Sequence, residues 1–136
     1  KSVNGSRVLL LGVAYKRDID DLRESPALEV IQHLQEQGAQ VAYHDPYCAV
    51  IEDDGHTPIT GLPLHSTPLT DEALETADAV VVVTDHTNID YGRVAARAKL
   101  VVDARGVMRG VGGTARIVGL SEGAGGRVGA WAGGSR

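Results

Sequence analysis

Three short and nearly continuous runs of apolar residues constrain the fold of this chain more than any other feature. They read RVLLLG at residues 7–12, AVVVVT at residues 79–84 and LVVD at residues 100–103. Continuous apolar runs, rather than alternation with polar residues, are typical of strands buried on both faces of a parallel sheet. The segment QVAYHDP at residues 40–46 predicts a further strand that proline ends. The sequence therefore predicts a central, mainly parallel sheet.

The segments between these strands show helical patterns. Ser25 and Pro26 mark a helix start, because serine is a good N-cap and proline is favoured in the first turn. Apolar residues at helical spacing follow at positions 27–34 and predict a helix of about 12 residues. Shorter helices are predicted at residues 71–76 and 90–98. Alternating strands and helices indicate βαβ units, so the expected fold class is α/β, a three-layer domain with helices on both faces of the sheet.

Composition narrows the classes of function. The net charge of -5 argues against general nucleic-acid binding, which needs a broad positive surface. A single cysteine, Cys48, cannot form an internal disulfide and fits a reducing compartment. The histidines lack the paired spacing of a metal site, and no apolar run has the length of a membrane span. We therefore expect a cytoplasmic protein without metal, nucleic-acid or membrane partners.

The chain is predicted to divide into two parts, residues 1–108 and residues 109–136. The second part holds 10 of the 17 glycines, which predicts a partly flexible C-terminal extension. Residues 115–120 within it can add one edge strand. The first six residues look like an internal start, which suggests a fragment of a longer polypeptide.

Polar residues gather where the predicted strands end. They lie at residues 12–16, 44–46, 84–86 and 103–105. Ligands of open α/β sheets bind beyond the carboxyl ends of the strands, so these positions are candidates for a site. His86 is expected either to shape such a cleft or to make hydrogen bonds within its loop.

The stretch GVAYKRDIDDLRESPALEV, residues 12–30, concentrates charge between the first strand and the first helix. It lacks the GxGxxG pattern of a dinucleotide-binding turn, so a complete NAD site is not predicted. Lys16, Arg17 and Arg23 have two interpretations. In the first, Lys16 and Arg23 form a phosphate site beside the helix N-terminus. In the second, all three cations pair with the acidic residues at positions 18–24 in a surface network. Spacing alone favours the surface network.

Other residues of types that carry chemistry also have a structural interpretation. Asp20 and Asp21 are not predicted to form a catalytic carboxylate pair, because adjacent residues usually point in different directions. Cys48 has no local signature of a nucleophile and is interpreted as a small apolar residue. Arg105 is expected either to hold a phosphate or ribose, or to pair with Asp103 or another nearby carboxylate.

Taken together and in order, these motifs resemble the C-terminal domain of the nucleotide-sugar 6-dehydrogenases. That family includes the UDP-glucose, UDP-N-acetylhexosamine and GDP-mannose dehydrogenases, and the resemblance covers residues 5–108. It implies that residues 1–108 form a Rossmann-like, UDP-binding domain. The matching residues are GVAYK at 12–16, Asp18, Asp21, RESP at 23–26, HDP at 44–46, TDH at 84–86 and DAR at 103–105.

The resemblance also implies an activity for the longer enzyme. Such enzymes oxidise the C6 alcohol of a nucleotide sugar to a carboxylate in two hydride transfers to NAD. An N-terminal domain binds NAD, and a central segment supplies the catalytic cysteine and a dimer contact. The full-length protein is therefore expected to be a homo-oligomer. This chain has neither the NAD-binding glycine loop nor a match to the catalytic cysteine, so it is expected to be inactive alone.

The resemblance assigns roles to four residues. Tyr15, Lys16 and Arg105 match residues that contact the nucleotide-sugar substrate, and Arg23 matches an arginine that reaches NAD bound by the other domain. The motif looks most like the UDP-N-acetylhexosamine branch, with UDP-glucose and GDP-mannose as alternative substrates. Two competing classes remain, a non-catalytic nucleotide-binding regulatory module and a structural assembly domain whose charged loop is an interface.

Overall fold

The computed structural model describes residues 3–18, residue 22 and residues 25–119, which contain seven strands and three helices. The strands are β1 (Arg7–Leu11), β2 (Gln40–His44), β3 (Val50–Ile51), β4 (Leu64–His65), β5 (Ala79–Val82), β6 (Leu100–Asp103) and β7 (Arg116–Gly119). The helices are α1 (Pro26–Glu36), α2 (Asp71–Thr76) and α3 (Tyr91–Arg97).

Five strands form one parallel sheet in the order β2-β1-β5-β6-β7. Leu10 of β1 lies opposite Tyr43 of β2 on one side and Val81 of β5 on the other. The continuous apolar runs therefore occupy the centre of the sheet, where both faces are covered. The predicted mainly parallel sheet is confirmed.

Side chains of β1 alternate between two cores, one on each face of the sheet. Val8 and Leu10 belong to a cluster with the apolar residues of α1. Leu9 and Leu11 belong to a second cluster with residues of α2 and α3. Helices thus cover both faces, and the predicted three-layer α/β architecture is confirmed.

Helix α1 begins as its sequence indicates. The Ser25 hydroxyl accepts a hydrogen bond from the backbone N–H of Ala27 at 3.1 Å, and Pro26 occupies the first turn. The helix ends before Gly38, whose φ of 92° places it in the left-handed region that favours glycine. Thr70 and Asp90 cap α2 and α3 with their side chains in the same way.

The region between β2 and α2 holds an element that the sequence did not reveal. Strands β3 and β4 form a separate antiparallel pair of two residues each. Two residues are too few to show any periodicity, so this pair leaves no pattern to detect.

The edge strand predicted at residues 115–120 is present as β7. It pairs in parallel with β6 and completes the five-stranded sheet. The division of the chain at residue 108 stays a prediction. Residues from 120 onward, including most of the proposed C-terminal extension, lie outside the described residues.

Candidate functional site

The order of strands defines where a ligand cleft lies. After β1 the chain passes through α1 on one face of the sheet, whereas after β5 it passes through α3 on the other face. Connections that leave two neighbouring strands toward opposite faces open a crevice at their carboxyl ends. The loops after β1 and β5 flank this crevice, and the loops after β2 and β6 lie next to them.

Gly12 allows the loops after β1 and β5 to approach each other closely. Its φ is 84°, and a Cβ atom at this position would overlap the carbonyl oxygen of Thr84. The Thr84 hydroxyl donates a hydrogen bond to the carbonyl of Ala14 at 2.7 Å. Only glycine combines this backbone conformation with this contact, so Gly12 fixes the base of the crevice.

The Asp45 carboxylate holds the loop after β1 against the loop after β2. Its Oδ2 accepts hydrogen bonds from the backbone N–H groups of Val13 at 2.7 Å and Ala14 at 3.2 Å. Its Oδ1 accepts from the backbone N–H groups of Tyr47 at 2.7 Å and Cys48 at 3.1 Å. Asp45 is buried, so these donors replace the water that a carboxylate otherwise needs.

His86 adds the loop after β5 to this network and is fully buried. Its Nδ1 lies 2.8 Å from the backbone N–H of Asp18 and accepts its hydrogen, so Nε2 must carry the ring hydrogen. Nε2 then donates to Oδ2 of Asp45 at 2.9 Å. The Tyr47 ring packs beside the imidazole at a centroid distance of 4.8 Å. Of the two roles expected for His86, the hydrogen-bonding role is the one observed.

Asp18 completes the connection between the loops. Its φ of 60° is unusual for a residue with a side chain. Its carboxylate accepts hydrogen bonds from the backbone N–H of Thr87 at 2.9 Å and from the Thr87 hydroxyl at 2.8 Å. The backbone N–H of Thr87 is the main cause that lowers the pKa of the Asp18 carboxyl.

Of the acidic residues in the expected surface network, Asp18 alone lies within the described residues, so the other pairings stay a prediction. In the described part of the stretch, Asp18 bonds Thr87 of another loop, and no ion pair joins it to Lys16 or Arg17. The strand order brings the loop after β5 beside the loop after β1, which is why Thr87 contacts Asp18. Asp20, Asp21, Arg23 and Glu24 lie outside the described residues.

Arg17 and Arg105 both contact the buried carboxylate of Asp85. Arg17 donates to Oδ2 of Asp85 from Nε at 3.2 Å and from Nη2 at 2.6 Å. Nη2 of Arg105 lies 3.7 Å from Oδ1 of the same carboxylate. Burial raises the pKa of the Asp85 carboxyl, but the hydrogen bonds from Arg17 and the charge of Arg105 outweigh it and hold the pKa below its usual value.

The Asp103 carboxylate accepts hydrogen bonds from the backbone of its own loop. Its Oδ1 accepts from the backbone N–H groups of Arg105 at 3.1 Å and Gly106 at 2.8 Å, and its Oδ2 accepts from Met108 at 2.8 Å. The side chain of Arg105 therefore pairs with Asp85 and not with Asp103. The expected pairing of Arg105 with Asp103 or another nearby carboxylate is therefore met by Asp85. Binding of a phosphate or ribose by Arg105 stays a prediction.

Tyr15 and Lys16 extend from the loop after β1 into solvent. Tyr15 is 47% exposed, and Nζ of Lys16 lies 6.0 Å from the centre of its ring. Arg17, the next residue, reaches Asp85 and so connects this pair to the side of the crevice that carries Arg105. Arg23, the fourth residue with an expected role, lies outside the described residues.

The sequence places residues 44–46 and 84–86 at the candidate site, but it indicates no individual role for Arg17, Asp45 or Asp85. Asp45 and Asp85 each come shortly after a predicted strand, and that position was the available signal. Arg17 belongs to the charged stretch after β1, but its partner Asp85 lies 68 positions away in the chain. No local sequence pattern predicts an ion pair between residues so far apart in the chain.

Cys48 lies apart from the exposed side chains of the crevice. It is buried, and its backbone carbonyl accepts a hydrogen bond from the Tyr43 hydroxyl at 3.0 Å. Burial raises the pKa of that hydroxyl above its usual range. This position agrees with the interpretation of Cys48 as a small core residue.

The start of α1 does not fit the pyrophosphate of a dinucleotide. Ser25 is buried, accepts from the helix, and donates its own hydroxyl hydrogen to the carbonyl of Val13 at 2.7 Å. A dinucleotide site needs helix N–H groups that face a short glycine-rich turn. The connection between β1 and α1 contains one glycine, Gly12, and the side chain of Ser25 caps the N-terminus of α1.

Other kinds of site find little support in the described ranges. No group of three His, Cys, Asp or Glu side chains there is arranged to hold a metal ion. None of the described helices is long and apolar enough to cross a membrane. A shallow groove of about 340 Å³ lies over β1, β2 and α2, away from the residues with expected roles.

Comparison with known families identifies the class of protein. Residues 9–110 match the sequence profile described as the UDP binding domain of the UDP-glucose/GDP-mannose dehydrogenase family. The chain belongs to this family. The matched range contains all four loops around the crevice, and the expected family resemblance is confirmed.

Individual members of the UDP-glucose/GDP-mannose dehydrogenase family support this assignment. UDP-glucose 6-dehydrogenase of Rhizobium meliloti (strain 1021) is 35% identical over 112 residues, covering 79% of this chain and 24% of that protein. UDP-N-acetyl-D-mannosamine dehydrogenase of Escherichia coli (strain K12) is 35% identical over 115 residues, covering 80% and 25%. The chain therefore spans about a quarter of the length of these relatives. Since the identities are equal, the UDP-N-acetylhexosamine branch stays a prediction.

A solved structure shares the same fold. A UDP-glucose dehydrogenase from the hyperthermophilic archaeon Pyrobaculum islandicum has a TM-score of 0.65 and 29% sequence identity. The match covers 87% of this chain and 26% of that one. The parallel sheet of this chain therefore corresponds to about a quarter of that longer structure.

Proposed function

We propose that this chain binds the UDP part of a UDP-sugar and serves as the substrate-nucleotide domain of an NAD-dependent UDP-sugar 6-dehydrogenase. The observation that carries this proposal is the gathering of exposed cations at the crevice of a UDP-binding-family domain. Lys16 and Arg105 extend from loops that buried hydrogen bonds hold in place. A diphosphate has the charge that these cations match.

The proposed roles differ among the side chains. Lys16 and Arg105 bind the diphosphate, because an ammonium and a forked guanidinium are the usual phosphate-binding groups. Tyr15 offers an exposed aromatic face to the uridine or the sugar. Arg23 is proposed to reach NAD held by another domain of the longer enzyme.

Oxidation itself is assigned to the other parts of the enzyme. Conversion of a C6 alcohol to a carboxylate removes two hydrides, which two NAD molecules accept, and water supplies the second oxygen. The start of α1 does not fit NAD and Cys48 is buried, so this chain contributes binding and orientation of the nucleotide. A cytoplasmic location and a homo-oligomeric enzyme remain part of the proposal.

Titration of the 136-residue chain with UDP tests the binding role directly. We expect a dissociation constant of roughly 0.1–1 mM, because only one wall of the proposed active site is present. Chemical shifts of the backbone amides at residues 12–18, 84–87 and 103–106 should change on binding. If the amides at these positions show no shifts up to 10 mM UDP, the binding free energy is weaker than about −3 kcal/mol. That result contradicts the proposal.

Replacement of Lys16 by alanine tests the role of a single cation. We expect Lys16→Ala to weaken UDP binding by about 10-fold, because one charge-assisted contact to phosphate is lost. Lys99→Ala is the matched control, since Lys99 is exposed between α3 and β6. Equal UDP affinities for Lys16→Ala and the unaltered chain would remove Lys16 from the site.

An activity assay separates an enzyme domain from a regulatory or assembly module. The longer polypeptide that carries this chain is incubated with NAD and a panel of UDP- and GDP-sugars, and NADH formation is measured by absorbance. We expect two NADH per UDP-sugar oxidised. Binding of UDP without NADH formation from any sugar would favour the regulatory module, and absence of both would favour the assembly domain.

A further inference from the structure

Three loops place charged side chains around one carboxylate that the expected site residues do not include. Asp85 follows β5, Arg17 extends from the loop after β1, and Arg105 extends from the loop after β6. β5 lies between β1 and β6 in the sheet, so Asp85 occupies the middle position. The two arginines therefore reach the carboxylate from the loops that follow the two strands flanking β5, Arg17 at Oδ2 and Arg105 at Oδ1.

The contacts of Asp85 are unequal on its two oxygens. Oδ2 accepts two hydrogen bonds from Arg17, at 3.2 and 2.6 Å. Oδ1 is buried and accepts no hydrogen bond within the described residues, and Arg105 lies 3.7 Å from it. A buried carboxylate oxygen without a donor is uncommon and costly. The carboxylate is therefore able to hold Arg105 more tightly than it does here.

Both arginines remain open on their outer sides. The side chain of Arg17 is 59% exposed and that of Arg105 is 47% exposed, whereas Asp85 is 7% exposed. A guanidinium has five N–H donors, and Arg17 directs only those on Nε and Nη2 to Asp85. Donors of both side chains are thus left for a ligand at the mouth of the crevice.

We propose that Arg17 is a further diphosphate-binding residue and that Asp85 positions Arg17 and Arg105 as a two-arginine clamp. The proposal rests on the proposed function, because the diphosphate of UDP is the ligand. Two guanidiniums and one carboxylate leave a net positive charge, which the diphosphate balances. Long side chains lose rotamer entropy when they bind, and an anchor on buried Asp85 removes much of that cost in advance. Asp85 touches the arginines and not the ligand, so its role is positioning.

The test compares UDP with uridine, which lacks both phosphates. Amide chemical-shift titrations of the 136-residue chain measure both dissociation constants for the unaltered protein, Arg17→Gln and the double variant Arg17→Gln/Asp85→Asn. We expect Arg17→Gln to weaken UDP binding by about 10-fold and uridine binding by less than about 2-fold. The ratio of the two constants isolates the contribution of the phosphates.

The double variant separates a ligand contact from a structural one. Arg17→Gln alone leaves the Asp85 carboxylate without its main partner, and that charge would itself repel a diphosphate. Asp85→Asn removes this charge. If the Arg17 guanidinium binds phosphate, the double variant stays about 10-fold weaker for UDP. If the double variant binds UDP as the unaltered chain does, Arg17 only neutralises Asp85 and the clamp is refuted.

Arg93→Gln is the matched control. Arg93 makes a comparable ion pair with Asp71, with Nε at 2.6 Å from Oδ1 and the side chain 40% exposed, but it lies on α3. Its replacement should leave both dissociation constants unchanged. An equal loss of UDP and uridine affinity in Arg17→Gln refutes the clamp as well. Failure of the unaltered chain to bind UDP refutes the proposed function and the clamp with it, so the two failures are distinguishable.

Discussion

Asp45 and Asp85 are buried carboxylates beyond the ends of β2 and β5, the two strands that flank β1, and their surroundings give them different properties. Asp45 accepts hydrogen bonds from four backbone N–H groups and from His86, so both of its oxygens are satisfied. Asp85 contacts two flexible side chains and has one oxygen without a hydrogen bond in the described residues. Asp45 therefore stabilises the loops, whereas Asp85 holds groups that can still respond to a ligand.

Replacement of Asp45 by asparagine is expected to destabilise the domain strongly. Asparagine has the same shape, but one oxygen becomes an NH2 group that faces N–H donors at 2.7–3.2 Å. We expect the free energy of unfolding to fall by about 2 kcal/mol or more. Urea denaturation followed by circular dichroism measures it.

Asp53→Asn provides the comparison for this change. Asp53 is exposed and accepts one hydrogen bond, from the backbone N–H of Gly55 at 3.0 Å. Its replacement should change the free energy of unfolding by about 0.5 kcal/mol or less. Similar losses for both variants would contradict the role of Asp45 as the main link between the loops.

The connection between β1 and α1 is the element that builds the site. Gly12 begins it where the loops after β1 and β5 meet, and Ser25 ends it as the cap of α1. Between them lie Tyr15, Lys16 and Arg17. Both ends are anchored in the core, so the exposed side chains extend from a fixed base.

Gly12→Ala tests this anchoring. A Cβ atom would overlap the Thr84 carbonyl, and alanine is strained at a φ of 84°. We expect a loss of about 3 kcal/mol in the free energy of unfolding. Gly55→Ala separates the two causes, since Gly55 has a φ of 82° with nothing within 4 Å of the added atom. Its loss should be about 1 kcal/mol, from the backbone conformation alone. Equal losses would show that the contact with Thr84 is unimportant.

At the scale of the described molecule, the five parallel strands of the main sheet direct their carboxyl ends to one edge. The polar loops therefore meet at that edge, and the apolar runs remain in the core. Several carboxyl groups of the domain have pKa values below the usual range. The main causes are the backbone N–H of Thr87 for Asp18 and the side chain of Arg93 for Asp71.

These lowered pKa values predict acid sensitivity. A carboxyl whose pKa is lower in the folded than in the unfolded state stabilises the fold above the unfolded value, about pH 4, and this contribution is lost as the pH falls through the folded value. We expect the melting temperature to be nearly constant from about pH 7 to 5 and to decrease below about pH 4. Asp85→Asn should show a shallower decrease, since it removes one such group. Parallel pH profiles for the two proteins would contradict this contribution.

Local sequence was sufficient for the elements and for the family. Continuous apolar runs specify buried strands wherever they lie, and a cap such as Ser25 acts on a residue two positions away. Each motif at a strand end likewise spans only a few residues, and the order of the motifs along the chain made the UDP-binding family recognisable. Strands β3 and β4 escaped prediction because they are too short to carry a pattern.

The partners within the site were decided only when the chain folded. Arg17 donates hydrogen bonds to Asp85, which the strand order places beside it although 68 positions separate the two residues. His86 likewise forms a hydrogen bond with Asp45, which lies 41 positions away in the chain. An ion pair or hydrogen bond depends on distance in space, and the apolar packing of the sheet sets that distance without regard to position in the sequence. The sequence therefore supplied the charges at the crevice, and the tertiary structure selected which of them meet.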